Sequence, residues 1–368
     1  MSLFSFLSPK SSSVVGIDIG TSSIKVVQLA KKGGRALLET YGELALGTYA
    51  GVEIGRATNL PPEKISEALR DVLQEAKISS QNCALAIPFG ASLISAVEMP
   101  EVPEKQLEQM VPFEARKYIP VPIDEVALDW WVVPKPTDKP AEFSEKKTGP
   151  QQGGKIDVIL VAIHNDTLAK YQTIVNQAQL EASFFEIEIF SAIRSVVDEE
   201  LPVQMIIDIG AGSSKFYIVE HGVVKISHII NQGSQDITLA LSQALSIPVQ
   251  TAEIMKRDPS QIGEQYKKNF ESIVSVNLDH IFSEAHRLML SFERRYNHKI
   301  PNVAVVGGGA LLAGVLSYAE TQLQTKVTLG NPFSKTEAPA SLAEILKTTG
   351  PEFAVAVGIA LRKLSELR

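Results

Sequence analysis

The chain has 368 residues, with 35 Lys and Arg against 42 Asp and Glu, for a formal net charge of −7. That acidic balance excludes a general nucleic-acid coat, which needs basic surface. A hydrophobic share of 45% with 21% charged residues excludes a disordered chain, and the single cysteine, Cys83, excludes an internal disulfide framework and a cysteine-cluster metal site.

Residues 1–13, MSLFSFLSPKSSS, hold too short an apolar piece for a signal peptide and no basic stretch before it. The apolar run 14–17 predicts a buried strand ending in Asp18-Ile19-Gly20-Thr21-Ser22-Ser23. Lys25 follows inside a second strand over 24–29, then a turn at Gly33-Gly34 and a third run over 36–46. Ile65, Leu69, Val72, Leu73 and Ala76 recur at helical spacing behind Pro62, predicting a helix over 62–77. A strand is expected over 85–88, and a helix over 104–118 that Pro112 interrupts or begins. Strands are expected over 126–133 and 156–163, with a helix over 167–180. The stretch 134–155 is rich in Pro, Gly, Lys and Glu and reads as a mobile surface loop. Trp130 and Trp131 are strand neighbours and point to opposite faces, one to the core and one to the surface or to a partner groove.

The first motif returns 190 residues later as Asp208-Ile209-Gly210-Ala211-Gly212-Ser213-Ser214. Its context returns as well: an apolar run over 205–207, then Lys215, a run over 216–219, a turn at His221-Gly222 and a run over 223–230. Copies this far apart predict two related domains facing one another, because solenoid repeats have periods of about 20–50 residues. Val274, Leu278, Ile281, Phe282, Ala285, Leu288, Met289 and Phe292 form one stripe of a helix over 270–296. Residues 300–319 carry no charge, yet Pro301, Asn302 and Gly307 to Gly309 oppose a membrane helix and fit a strand, a glycine turn and a helix start.

An Asp at the end of a buried strand, followed by Gly and hydroxyl residues, suits a nucleotide phosphate. Successive backbone N–H groups form an anion nest, Ser and Thr add donors, and Asp holds Mg²⁺ through water. Neither copy is a Walker A loop. The glycine turn 307–309 fits either a tight strand-to-helix turn or a floor for a base or ribose, and its spacing is not that of a Rossmann fingerprint. Lys25 and Lys215 read either as phosphate ligands or as strand-edge lysines. The histidines show no metal-ligand spacing, and no Ser-His-Asp or Cys-His constellation emerges.

The order of these pieces, closing on the Ala- and Gly-rich run 353–361, resembles the actin-like ATPase superfamily of actin, sugar kinases, heat-shock chaperones, MreB and FtsA. Within it the chain is similar to the PilM family of type IV pilus assembly. The likeness rests on the Phe-rich start before VVGIDIG, on the inserted module, and on Lys117-Tyr118-Ile119-Pro120 followed by Pro122-Ile123-Asp124-Glu125-Val126. An ending soon after the last helix, without the amphipathic membrane anchor of FtsA, is a further expectation.

The resemblance implies an α/β, actin-like (ribonuclease H-like duplicated), two-lobed ATPase fold with an inserted α+β 1C subdomain. A first lobe, 1A, would span 14–87, completed by 181–200 and 353–368; the insert would span 88–180; and the second lobe, 2A/2B, would span 201–352, with 2B at about 251–299. It implies ATP and Mg²⁺ as cofactors, with Asp18 and Asp208 at the metal. Gly20, Thr21, Ser22, Ser23 and Lys25 would hold the phosphates from one side, and Gly210, Gly212 and Ser213 from the other. Glu253 and Lys256 would meet ribose and base, with Gly308 and Gly309 beneath the adenosine. Glu188 would position the attacking water, with Glu186 either as the alternative or as part of an exposed face. Ile189 stands where chaperones and MreB have Pro, which implies weak or slow hydrolysis.

The partner implied is the N-terminal cytoplasmic peptide of PilN, in a groove between the first domain and the insert. PilN and PilO would then bring a cytoplasmic scaffold without its own membrane span to the inner membrane and couple it to the pilus motor ATPases for twitching. Self-association is a further expectation. The competing readings are an FtsA-like filament-forming division protein and a small-molecule kinase of the same fold.

Overall fold

The computed structural model describes residues 13–133, 154–198 and 200–367. The Phe-rich start and all but the last two residues of the expected loop 134–155 lie outside them. The chain forms two compact units, one built from the segments up to Pro88 and from Lys170 onward, the other from Phe89–Ala169.

The larger unit opens with β1 (Ser13–Ile19), β2 (Ser23–Lys32) and β3 (Arg35–Ala45), then α1 (Pro62–Glu75) and β4 (Asn82–Ile87). The smaller unit holds β5 (Ser92–Pro100), α2 (Glu104–Ala115), β6 (Val126–Val132) and β7 (Lys155–His164), and α3 (Asn165–Gln177) leads back out of it. The larger unit continues with β8 (Glu181–Ile187), α4 (Glu188–Val196), β9 (Val203–Ile209), β10 (Ser214–Glu220), β11 (Val223–Ile230), α5 (Ser234–Leu245) and α6 (Val249–Arg257). It ends with α7 (Glu264–Tyr296), β12 (Asn302–Val306), α8 (Val315–Leu323), β13 (Lys326–Leu329), α9 (Ala343–Thr349) and α10 (Ala354–Glu366).

The sequence repeat is a repeat of sheet topology. One sheet runs β3-β2-β1-β4-β8 and the other β11-β10-β9-β12-β13. In each, two antiparallel hairpin steps precede two parallel pairings. The central strands β1 and β9 are buried almost throughout, as their unbroken apolar runs require. On α7 the residues Leu278, Ile281, Phe282, Ala285, Leu288, Met289 and Phe292 are buried against the second sheet. Its start at Glu264 lies ahead of the expected 270, and Asn297 ends it in the left-handed conformation at φ +56°.

Helices α4 and α10 cross in close contact. A Cβ on Gly358 of α10 would run into the Ser191 carbonyl of α4, so only glycine permits this approach. Cys83 lies buried on β4, and burial pushes its thiol up to about 12, which makes it an inert core residue.

In the smaller unit β5, β7 and β6 form an antiparallel sheet in that order, with α2 contributing Leu107, Val111 and Ala115 to its core. Pro112 neither begins nor interrupts α2. The lost Pro112 N–H bond is outweighed by burial of Val111 and Ala115 on either side. Trp130 packs against this core while Trp131 is exposed, as strand alternation requires. Among the described residues no helix is long and apolar enough to cross a membrane.

Candidate functional site

Two hairpins of one design meet in the larger unit. Gly20 N–H donates to the Ser23 carbonyl at 3.0 Å, and Gly210 N–H donates to the Ser213 carbonyl at 3.0 Å. In the first hairpin Asp18 sits directly opposite Lys25, and in the second Asp208 sits opposite Lys215. Each turn therefore presents an Asp and a Lys side by side on one face of its sheet. Neither Lys lies on an edge strand: β2 runs between β3 and β1, and β10 between β11 and β9. The strand-edge reading of both is corrected on that ground.

The turns are held from outside. The Thr21 carbonyl accepts from Thr58 N–H and from the Thr58 hydroxyl at 2.7 and 2.9 Å, and the Ser22 carbonyl from Leu46 N–H at 2.8 Å. The carbonyls of Gly210 and Ala211 accept from Ser234 and Gln235 N–H at the start of α5, at 2.9 and 3.0 Å. The two turns approach one another: a Cβ on Gly212 would lie 3.4 Å from Thr21 Oγ1. Gln235 Oε1 accepts from Ala57 N–H at 2.8 Å, tying the two halves together.

The lysines have different partners. Lys25 Nζ donates to Ser23 Oγ at 2.7 Å and pairs with Glu43 of β3 at 3.1 Å. Burial lowers its pKa, but Glu43, Asp18 and Glu352 outweigh burial and hold the ammonium above its ordinary range. Lys215 Nζ donates to Glu188 Oε2 at 2.8 Å and Asp208 Oδ2 at 3.3 Å. Burial opposes the charge on Lys215 too, yet Asp208 and Glu188 raise its pKa well above the usual lysine range. Partial burial pushes Asp18 up to about 6, with Glu188 and Asp208 adding to the rise and the two lysines opposing it.

Gly307 follows β12 at φ +83°, and a Cβ there would meet Asp208 Oδ1 and the Ile209 carbonyl at 2.5 Å. The glycine turn thus lies against the end of β9. A Cβ on Gly308 would sit 3.4 Å from Glu352 Oε2. That oxygen is buried and has no hydrogen-bond partner among the described residues. Burial and the neighbouring Glu43 push the Glu352 carboxyl above its ordinary range.

Glu253 and Lys256 of α6 are buried and engage one another. Glu253 accepts from Lys256 Nζ at 2.6 Å, Thr238 Oγ1 at 2.6 Å and Arg257 Nε at 2.8 Å, and Lys256 also donates to the Ser234 carbonyl at 3.1 Å. Burial raises Glu253, but these cations hold it below the carboxylate range, whereas for Lys256 burial wins and lowers the ammonium.

Glu186, the alternative to Glu188, is buried and fully engaged by Ser191, Arg194 and Arg362. It braces helices, and its reading as a water-positioning group is corrected. Glu43, Glu352 and the Lys215 bridge were missed from sequence. The equal seven-residue spacing of Asp18 to Lys25 and Asp208 to Lys215 carried the signal for the lysines; nothing local marks the two glutamates.

The donor set fits a nucleotide. Two glycine-rich turns offer backbone N–H groups, two lysines offer charge, and the orphaned Glu352 oxygen needs an O–H or N–H donor. Among the described residues no three His, Cys, Asp or Glu side chains form a metal cage. Asp18 and Asp208 alone suit Mg²⁺ held mainly by water and phosphate oxygens.

The family model of the type IV pilus assembly protein PilM matches residues 16–364. The chain belongs to the PilM family. This PilM-family chain is 24% identical to the cell division protein FtsA of Pseudomonas aeruginosa, over 87% of its own length and 83% of that protein. It is 22% identical to FtsA of Neisseria meningitidis, over 93% and 88%. Among solved structures it is similar to a PilM-PilN type IV pilus biogenesis complex, with a TM-score of 0.79, 23% identity and coverage of 97% of this chain and 99% of that one. MreB5 of Spiroplasma citri bound to AMPPNP gives a TM-score of 0.51 at 13% identity, covering 96% of both chains. These likenesses establish an actin-like fold for this PilM-family chain.

Proposed function

We propose that this chain binds ATP with Mg²⁺ between its two Asp-Gly hairpins and acts as a scaffold of type IV pilus assembly. The observation that carries the reading is the duplicated hairpin, each copy with an Asp and a Lys in direct cross-strand register beside a glycine turn. Gly20, Thr21, Ser22, Ser23 and Lys25 grip the phosphates from one side, and Gly210, Gly212 and Ser213 from the other. Asp18 and Asp208 orient the water shell of Mg²⁺, which supplies charge neutralisation of the phosphates when bound. Gly308 and Gly309 floor the nucleoside, and Glu253 and Lys256 shape its far end. Glu188 is the residue for orienting water, and its bond to Lys215 supports slow turnover.

The partner is the N-terminal cytoplasmic segment of PilN, a reading supported by the likeness to a PilM-PilN complex. Through PilN and PilO the chain reaches the inner membrane and couples that platform to the motor ATPases. Nucleotide would alter partner affinity by favouring one arrangement of the two halves.

Calorimetric titration tests both parts. ATP is titrated into the full chain, and then a PilN N-terminal peptide with and without ATP. Saturable one-to-one binding of each is expected. ATP binding without peptide binding removes the scaffold assignment, and absence of ATP binding removes the nucleotide assignment. The FtsA relatives favour one second reading, nucleotide-dependent polymerisation, which sedimentation with ATP decides.

A further inference from the structure

The candidate site contains a second cation, Lys215, that the nucleotide assignment does not place on the phosphates. Lys215 Nζ donates to Glu188 Oε2 at 2.8 Å and to Asp208 Oδ2 at 3.3 Å, and its side chain is only 12% exposed. An ammonium has three N–H donors. Two are taken by these carboxylates, and the third has no acceptor among the described residues. Lys25, which the nucleotide assignment already places on the phosphates, is held in the same way by Glu43 and Ser23. Asp208, one of the two carboxylates available to a divalent ion, is therefore already charge-compensated from within the chain.

We propose that Lys215 is a resident cation of the phosphate site: its ammonium neutralises Asp208 and Glu188 and gives its third N–H to a phosphate oxygen, so that nucleotide binding depends only weakly on Mg²⁺. This rests on the nucleotide reading above and goes beyond it. An ammonium is a compact point charge and an effective phosphate ligand. Here it is positioned in advance by two carboxylates from different elements, one across the hairpin and one at the start of α4. Without it Asp208 would face an incoming phosphate as an uncompensated negative charge, and a divalent ion would have to be recruited each time.

The competing explanation is that Lys215 only braces β10 against α4. The two separate in one experiment. ATP is titrated calorimetrically into the full chain in Mg²⁺ buffer and in EDTA, for wild type, Lys215→Met and Lys215→Arg, with thermal unfolding of each recorded alongside. The wild type is expected to lose less than about ten-fold in affinity on passing into EDTA. Lys215→Met is expected to lose a further ten-fold or more in EDTA, about the size of one charge-assisted bond, and to recover most of it in Mg²⁺. Lys215→Arg keeps the charge and should stay close to wild type in its Mg²⁺ dependence.

A lowered melting temperature for Lys215→Met with the wild-type Mg²⁺ dependence would assign the residue a bracing role and overturn the proposal. So would a wild type that loses more than about ten-fold in EDTA, a result that stands even if Lys215→Met does not fold. A wild type that binds no ATP in either buffer overturns the nucleotide reading itself, a different result from either.

Discussion

Replacing Glu186 probes what holds α4 and α10 together. Its carboxylate is 5% exposed and accepts from Ser191 Oγ at 2.5 Å, Arg194 Nη1 and Nη2 at 2.7 and 2.8 Å, and Arg362 Nη1 at 2.6 Å. The bidentate Arg194 pair contributes about 2 kcal/mol as a charge-assisted bond. Arg362 is 39% exposed, so its share is discounted for solvent screening to about 0.5 kcal/mol. The serine hydroxyl adds about 0.5 kcal/mol. Glu186→Ala should therefore cost about 3 kcal/mol at neutral pH, or roughly 6 °C in melting temperature for a unit of this size.

The pH dependence has a definite sign. Burial raises the Glu186 pKa, but Arg194, Ser191 and Arg362 outweigh it and hold the carboxyl below 4.5. The stabilisation is thus fully present above the unfolded-state value and is lost as pH falls through the lower folded-state value. Scanning calorimetry from pH 3 to 8 on wild type, Glu186→Ala, Arg194→Ala and the double variant reads both effects. A cost under about 1 kcal/mol at pH 7, or a coupling energy below about 0.5 kcal/mol, would refute the bracing role.

Gly358→Val should cost at least about 3 kcal/mol, because the new side chain must displace the Ser191 carbonyl; chemical denaturation measures it, and a cost below 1 kcal/mol would mean that the helices separate freely. Asp18→Asn should stabilise the nucleotide-free protein at pH 7 by about 1–3 kcal/mol while weakening ATP binding. The raised Asp18 pKa near 6 makes its carboxyl favourable to folding below 3.8 and unfavourable once pH passes 6, so the benefit should vanish near pH 4 in melting curves. Glu352→Gln should leave the melting temperature within about 2 °C but lower ATP affinity roughly ten-fold, if the orphaned oxygen accepts from the nucleoside; equal affinity by titration would release Glu352 from that role.

Local pattern carried the hairpins and the long helices. The Asp-Ile-Gly repeat and its even spacing gave both turns, and the apolar stripe of α7 gave a helix because side chains three and four apart share a face. Strand β5 went unread because its first five residues are half-buried or exposed and alternate weakly, while pairing with β7 is what makes it a strand. Pro112 misled because local chemistry favours a break and tertiary burial overrides it. In the candidate site, the glycine turns and the aspartates facing the lysines were legible because turn geometry and hairpin register are local. The partners of the lysines were not: Glu43 is 18 residues from Lys25 and Glu188 is 27 from Lys215, and no spacing rule reaches that far.

The packing of β1 on α10 also constrains how the protein is made. Gly16 lies against Ala356 and Ala360, and Val14 and Val27 share a core with Ala356, Val357 and Ala360. At about 5–20 residues per second, synthesis leaves roughly 20–70 s between emergence of the first strand and of the helix that covers it. During that interval the earliest sheet carries a bare apolar face. The smaller unit, whose elements are close neighbours in sequence, meets no such delay. The nascent chain should therefore mature from the middle outward, with its beginning the last part to become protease-resistant and the part most dependent on chaperones.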